Sequence, residues 1–132
     1  MAAPRVAILA DDLIWATRLA AIVRAAGAAP VMARSMESLA TALAGGVDRA
    51  IVDLTARAYD GIEAIAAAVA AGAAVLAVAQ HDDLALRRRA LAAGAARVVP
   101  YRLLAESSGA AVVARWSEAA ETARKVRAEA RG

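Results

Sequence analysis

The sequence contains no cysteine and no phenylalanine, and aromatic residues make up only 3% of it. Without cysteine the protein has neither disulfides nor thiolate chemistry, which fits the reducing conditions of the cytoplasm, where we expect it to reside. Without phenylalanine the core has to be built from Val, Ile and Leu interleaved with Ala. Such side chains let the layers approach closely, but each contact buries little apolar area. Burial of apolar area stabilises the fold by about 25 cal/mol per Å².

Long hydrophobic runs and a strong charge of one sign are also missing. The longest uncharged run, residues 64–80, is short for a membrane span, consists mostly of Ala and is interrupted by Gly72. Only five apolar residues separate Arg5 from two acids, so no secretory signal is expected. The formal charge of +3 is mild, and we expect nucleic acid binding only through an effector domain that this sequence does not include.

The pattern of apolar residues, caps and glycines predicts five strand–helix units in strict alternation. The length of 132 residues is typical of a single domain. Units of this kind build a parallel sheet with helices on both faces, through right-handed crossovers. We therefore predict one α/β domain over residues 1–132 with strand order 2-1-3-4-5. The predicted strands are residues 5–10, 30–33, 48–53, 74–79 and 96–99, and the predicted helices are residues 13–26, 36–44, 61–71, 83–93 and about 108–130.

Carboxylates follow two of the predicted strands. Asp11 and Asp12 come after the first strand, and Asp53 ends the third. In an open parallel sheet, ligands bind beyond the carboxyl ends of the strands where the strand order reverses, which here lies between the first and third strands. Carboxylates crowded there repel one another unless a cation neutralises them. Such oxygen ligands suit Mg²⁺, and a carboxylate beside that cation can act as a nucleophile toward phosphorus.

Each of these acids also has a purely structural explanation. Asp12 precedes the first helix and is a candidate N-cap, and Asp53 is open to bonds from loop amides as an ordinary strand-end carboxylate. Asp60, with Glu63 three residues later, is interpreted as the cap of the third helix. His81 follows the fourth strand near the predicted crevice, and either a solvent-exposed side chain or a role in handling water or phosphate fits that position.

The order and spacing of these motifs resemble the receiver domain of two-component response regulators. The resemblance covers residues 5 to about 125 and rests on Asp11-Asp12 after the first strand, Asp53 followed by Asp60-Gly61, and Gly94-Ala95 before the fifth strand. It implies the flavodoxin-like receiver fold and a signalling domain that is not an enzyme. The implied partner is a sensor histidine kinase or a phosphotransfer protein.

For individual residues the resemblance implies a phosphorylation site with a cation beside it. Asp53 is the implied phosphoacceptor. Mg²⁺ is the implied cofactor, held by Asp11, Asp12 and Asp53 together with the backbone carbonyl of Thr55. A phosphatase or nucleotide-binding enzyme on the same fold is a weaker alternative, because the sequence has no Gly-rich phosphate loop after the first strand and no P-loop lysine.

Three positions depart from the receiver pattern. Receivers usually end the fourth strand in Thr or Ser, where this sequence has Ala79, and they end the fifth strand in Lys, where counting from the preceding glycine gives Tyr101. Val98 takes the place of the switch aromatic. A hydroxyl donor and a fixed cation around the phosphoryl group are thus both missing, and Arg102 or Arg97 are the candidates to supply charge instead.

Two functional hypotheses follow from this mixture of retained and altered positions. In the first, the chain is an atypical receiver that takes a phosphoryl group on Asp53. In the second, it is a pseudo-receiver that acts through protein contacts without phosphorylation. We expect a homodimer through the fourth helix, fifth strand and fifth helix. In that dimer Arg87, Arg88 and Arg89 either pair with Glu118 or Glu121 of the other copy or form a solvated face.

Overall fold

The computed structural model describes residues 3–80, 83–106 and 108–131 of the chain. Within these ranges strands and helices alternate as the sequence predicts, with one helix more. The strands are β1 (Arg5–Leu9), β2 (Ala29–Ala33), β3 (Arg49–Asp53), β4 (Ala74–Ala79) and β5 (Arg97–Pro100). The helices are α1 (Leu13–Ala25), α2 (Met36–Ala44), α3 (Gly61–Ala70), α4 (Leu84–Ala92), α5 (Tyr101–Ala105) and α6 (Gly109–Arg131).

The five strands form one parallel sheet in the order β2-β1-β3-β4-β5, which confirms the predicted topology. Every residue of β3 is buried, and so is every residue of β4 after the first. These strands are continuously apolar between their ends because helices cover both faces of the sheet. The strand order reverses between β1 and β3, so the crevice lies where the sequence places it.

Two apolar cores lie on opposite faces of the sheet. On one face α2, α3 and α4 contribute Leu39, Ile65 and Ala90. On the other face α1, α5 and α6 contribute side chains such as Leu19, Leu104 and Val113. The alternation of side chains along each strand divides its residues between the two cores, since successive Cβ atoms point to opposite faces. Trp116 belongs to the second core and is only 5% exposed.

Helix α5 is the one element that the sequence pattern does not predict. Pro100 ends β5 opposite Ala79 and is also the residue that precedes the helix. Pro is tolerated there because β5 is an edge strand and Pro suits the start of a helix. The next helix begins at Gly109, where a Cβ would lie only 2.1 Å from the carbonyl oxygen of Leu104. The helix numbered fifth in the sequence pattern is therefore α6.

Helix α6 is the longest, with 23 residues, and its last ten residues are exposed on all sides. None of the helices in the described ranges combines the length and apolar character that crossing a membrane requires.

A charged cluster ties α6 to the amino end of β3. Arg49 is only 3% exposed, and its guanidinium donates to the hydroxyl of Ser117 at 2.9 Å and to a carboxylate oxygen of Glu121. Arg124 donates to the other oxygen of Glu121 at 2.6 Å. Asp48 lies 3.7 Å from the Arg49 side chain. The bond from Arg124 and the charges of both guanidinium groups lower the pKa of Glu121 to about 2.

This cluster makes the expected pairing of Glu121 with a second copy less favourable, since its two oxygens are engaged within its own chain. Glu118 and Glu121 line one cleft of about 640 Å³, together with Pro4 and Ala26. Glu118 therefore faces α1. The two acids lie on the α1 side of α6, whereas Arg87–Arg89 belongs to α4 on the opposite face of the sheet.

The Glu121 cluster predicts a pH-dependent contribution to stability. The folded pKa lies near 2, below the ordinary value of 4.5, so the stabilisation is complete above pH 4.5 and is lost as the pH falls toward 2. We expect Glu121→Gln to unfold more easily than wild type in urea at pH 7, with the difference shrinking across that window. Glu118→Gln, on the same helix, is the matched control. A Glu121→Gln difference that is constant from pH 7 to about pH 2.5 contradicts the assignment.

Candidate functional site

The carboxyl ends of β1, β3 and β4 bring Asp53 to the centre of the crevice. Leu9 of β1 pairs with Val52, and Asp53 pairs with Val78 of β4. Asp53 is the last residue of β3 and is only 1% exposed. A carboxylate buried to this degree requires hydrogen-bond partners, because removal from water disfavours its charge.

Thr55 supplies two of these partners. Its backbone N–H donates to Asp53 Oδ1 at 2.8 Å, and its hydroxyl donates to the same oxygen at 2.7 Å. Across the described part of the chain, no hydrogen bond of good geometry reaches Asp53 Oδ2. One oxygen of the carboxylate is thus fixed, and the other is left for a further group. From the sequence, only the backbone carbonyl of Thr55 was expected at the site, although an Asp followed two residues later by Thr is a known turn signal.

Asp11 holds the loop between β3 and α3. Its Oδ2 accepts hydrogen bonds from the backbone N–H groups of Arg57 at 2.9 Å and Ala58 at 3.0 Å. The Arg34 guanidinium donates to the backbone carbonyl of Asp11 at 3.2 Å. The bond from Ala58 contributes most to lowering the pKa of Asp11, and the Arg57 bond and the nearby Arg34 charge act in the same direction. Asp11 is therefore an ionised carboxylate that shapes the loop beside Asp53.

Asp12 caps α1, as the structural alternative proposes. Its Oδ1 accepts from the backbone N–H groups of Ile14 at 2.8 Å and Trp15 at 3.1 Å. Asp60 caps α3 in the same way, through Ile62 and Glu63. Among the residues that the structure describes, no three acidic or histidine side chains are arranged so that they could hold a metal ion.

The oxygen atoms that line the crevice nevertheless suit a hard cation as ligands. The backbone carbonyl of Thr55 accepts no hydrogen bond from the part of the chain that is described, and carbonyl and carboxylate oxygens are the ligands that Mg²⁺ prefers. Asp11 and Asp12 each have one oxygen occupied by backbone N–H groups. The residues present therefore fit a cation with few protein ligands and several waters, rather than a closed cage.

Tyr59 links the ends of β1 and β3, a role that the sequence pattern did not indicate. Its hydroxyl lies 2.8 Å from the backbone carbonyl oxygen of Leu9 and 2.7 Å from that of Asp53, and it donates its proton to this pair of acceptors. Burial and then the charges of Asp53 and Asp11 raise the pKa of Tyr59 above its usual range. The phenol therefore remains a donor that fixes the backbone on which the Asp53 side chain is mounted.

Tyr101 lies beside Asp53, at the position where the resemblance expects a Lys. Its side chain is buried, and its ring centre is 3.8 Å from that of Trp15 with the planes tilted by 43°. The guanidinium carbon of Arg18 lies 5.2 Å from the centre of the Trp15 ring. Burial and the neighbouring Asp53 carboxylate raise the pKa of Tyr101 above its usual range, so the hydroxyl keeps its proton.

Ala79 and Val98 are both buried and line a cavity of about 170 Å³ between the end of β4, β5 and the start of α4. Arg87 borders this cavity and donates to the backbone carbonyl of Val98 at 3.1 Å. Position 79 thus presents a methyl group to this cavity, and position 98 presents an aliphatic side chain.

The arginines considered as replacement cations do not contact the acceptor. Arg97 begins β5 at the end of the strand remote from Asp53, and the side chain of Arg102 is exposed on α5. Within the described ranges neither donates a hydrogen bond to Asp53. His81, the other polar residue that the sequence analysis placed near the crevice, lies outside the described residues.

The hydroxyl of Tyr59 predicts a stability effect that its neighbour Tyr101 does not share. Tyr59→Phe leaves two buried carbonyl groups without their donor, which costs about 1–3 kcal/mol in the free energy of unfolding. Tyr101→Phe removes a hydroxyl without a hydrogen-bond partner in the described chain, so we expect a smaller loss or a gain. Urea unfolding of the two variants tests this difference, and equal losses contradict it.

Comparisons with known proteins identify the fold. No family model and no curated protein matches the chain. A response regulator receiver domain protein from Clostridium thermocellum is 15% identical with a TM-score of 0.77, over 93% of this chain and 98% of that one. NtrX from Brucella abortus is 19% identical with a TM-score of 0.80, over 96% of this chain and 30% of NtrX.

A third similar structure contains a phosphorylated residue. A response regulator protein from Burkholderia pseudomallei, with a phosphorylated aspartic acid, a calcium ion and citrate, is 21% identical with a TM-score of 0.66. The similarity covers 85% of this chain and 72% of that one. Together with the strand order and the buried Asp53, these similarities establish that the chain has the flavodoxin-like fold of response regulator receiver domains.

Proposed function

We propose that the chain is a receiver-like signalling domain that accepts a phosphoryl group on Asp53 from a sensor histidine kinase or a phosphotransfer protein. The observation that carries this proposal is the state of the Asp53 carboxylate. It is buried at the end of the central strand, with Oδ1 fixed by Thr55 and Oδ2 without a hydrogen bond of good geometry from the described chain. A carboxylate that served only the fold would be expected to have both oxygens engaged.

In the proposed reaction, Asp53 Oδ2 attacks the phosphorus of a phosphohistidine on the donor protein. The new O–P bond forms as the N–P bond breaks, and the electron pair of that bond returns to the imidazole nitrogen, which takes up a proton. The product is an acyl phosphate on Asp53. Positioning of the nucleophile contributes much of the rate in such transfers. Thr55 and Tyr59 supply this positioning by fixing Oδ1 and the backbone of Asp53.

Mg²⁺ is the cofactor that we propose for this site, and its chemistry there is to neutralise the charge of the carboxylates and the phosphoryl oxygens. It would be held by the Thr55 carbonyl, one of Asp11 and Asp12, and the Asp53 oxygen that does not take the phosphoryl group. Asp12 can keep its cap through Oδ1 and offer its other oxygen, because a cap uses one carboxylate oxygen.

The second candidate function is that of a pseudo-receiver, which binds partners without phosphorylation. The buried methyl group of Ala79 and the neutral hydroxyl of Tyr101 favour it, since both positions normally carry groups that bind phosphoryl oxygens in receivers. A homodimer through α4, β5 and α6 belongs to either candidate. Arg88 and Arg89 are exposed on α4, and Leu91 beside them is 42% exposed.

Intact mass after incubation with acetyl phosphate and Mg²⁺ separates the two candidates. A receiver gains the mass of one phosphoryl group, and Asp53→Asn gains none because the amide is not nucleophilic. Omitting Mg²⁺ or adding a chelator should greatly reduce the adduct, since the charge of the crevice is then not neutralised. An unmodified wild-type protein in the presence of Mg²⁺, or an adduct on Asp53→Asn, refutes Asp53 as the acceptor.

Restoring a hydroxyl at the end of β4 should strengthen the response to a phosphoryl analogue. We expect Ala79→Ser to bind beryllium fluoride, in the presence of Mg²⁺, about tenfold more tightly than wild type, because a hydrogen bond to a charged group contributes about 1.5–3 kcal/mol. Ala77→Ser is the matched control, since Ala77 is two residues earlier on β4, belongs to the same core and is also buried. Equal affinities of Ala79→Ser and wild type contradict the assignment of position 79 to the pocket.

A further inference from the structure

We propose that the Tyr101 hydroxyl is the hydrogen-bond donor of the acceptor pocket, contacting a phosphoryl oxygen on Asp53 as a neutral replacement for the missing ammonium group. This inference rests on the proposed function and extends it to the residue that binds the product. Tyr101 is a binding residue here, and it gives the pocket a donor without a positive charge.

The first support is the unsatisfied state of the hydroxyl. Tyr101 is only 3% exposed, and its hydroxyl oxygen has no hydrogen-bond partner in the described chain. A buried hydroxyl without a partner is costly, so native proteins rarely keep one without a reason. The Asp53 carboxylate and the Thr55 hydroxyl are close enough to it to shift its pKa. The hydroxyl therefore lies near the acceptor but has no oxygen at good hydrogen-bonding geometry.

The second support is that ring packing and a restricted backbone fix the orientation of the Tyr101 side chain. The Tyr101 ring packs against Trp15 of α1, and the guanidinium carbon of Arg18 lies 5.2 Å from the centre of the Trp15 ring. Pro100 fixes the backbone immediately before Tyr101, because its ring restricts the φ angle at that position. A donor oriented in this way loses little entropy when a ligand oxygen arrives, which favours binding.

The third support is that the neighbouring side chains Thr55, Tyr59 and Ala79 have no free hydrogen-bond donor to offer. Thr55 already uses both its donors on Oδ1, and the Tyr59 hydroxyl is engaged by backbone carbonyls. Ala79 offers no donor side chain. Tyr101 is therefore the side chain of this group whose donor has no acceptor, and a phosphoryl oxygen on Asp53 Oδ2 supplies one.

The test is to titrate beryllium fluoride, formed from Be²⁺ and excess fluoride, into the full chain with saturating Mg²⁺ and to follow the bound anion by ¹⁹F NMR. We expect Tyr101→Phe to bind the anion roughly 10- to 100-fold more weakly than wild type, because it lacks a hydrogen bond to a charged group. Mg²⁺ affinity without fluoride should be unchanged, since the hydroxyl is not assigned to the cation. Ser117→Ala, which removes a buried hydroxyl at the opposite end of the sheet, should leave the anion affinity unchanged.

The outcomes distinguish this inference from the proposed function. Weaker anion binding by Tyr101→Phe, with Mg²⁺ binding retained, supports both. Equal anion binding by Tyr101→Phe and wild type overturns the role of Tyr101 and leaves Asp53 as the acceptor. Parallel losses of anion and Mg²⁺ binding overturn a specific donor role in favour of general positioning. Absence of anion binding by wild type overturns the proposed function, and the role of Tyr101 with it.

Discussion

The burial of one carboxylate at the carboxyl end of the central strand is the constraint that organises this molecule. Asp53 is only 1% exposed, so its charge has to be compensated by groups of the protein or by a ligand. The loop after β3 supplies part of that compensation through Thr55, and Asp11 holds the loop through the N–H groups of Arg57 and Ala58. Tyr59 then joins the same loop to the ends of β1 and β3. Much of the polar structure around the crevice thus serves to position a single side chain.

The charges at the two ends of β3 are compensated in different ways. At the amino end Arg49 is buried as well, but its guanidinium reaches Ser117 and Glu121, so the charge is satisfied within the chain. At the carboxyl end Asp53 keeps one oxygen without a good partner in the described chain, and a buried phenol stands nearby in the same condition. We therefore interpret the charge of Arg49 as structural and that of Asp53 as part of a candidate site. This difference also explains why the larger cleft, at the Arg49 end, is not the one to which we assign chemistry.

The sequence was sufficient to predict the fold because the signals for it are local. Alternating apolar runs, the caps Asp12 and Asp60, and the glycines after the helices mark the elements, and strict alternation leaves few parallel topologies. Helix α5 was missed because its five residues are too few to show a helical period.

The side-chain contacts of the site depend on residues that are distant in the chain. Tyr59 reaches Leu9 across 50 positions, and Asp11 reaches the N–H of Arg57 across 46. Spacing along the chain carries no signal for such pairs. The exception is the Thr55 hydroxyl, whose contact with Asp53 spans only two positions and follows from turn chemistry. Position 101 was identified by counting, but its packing against Trp15 and its hydroxyl without a partner in the described chain became apparent only in the folded chain.

A crystal structure of the chain grown with Mg²⁺ and beryllium fluoride tests the central claim most directly. We predict a beryllium trifluoride group on Asp53 Oδ2, a cation bound by Asp53 and the Thr55 carbonyl, and the Tyr101 hydroxyl within hydrogen-bond distance of a fluorine. A structure in which Asp53 Oδ2 is bare, or is bonded to another protein group while both reagents are present in excess, would contradict it.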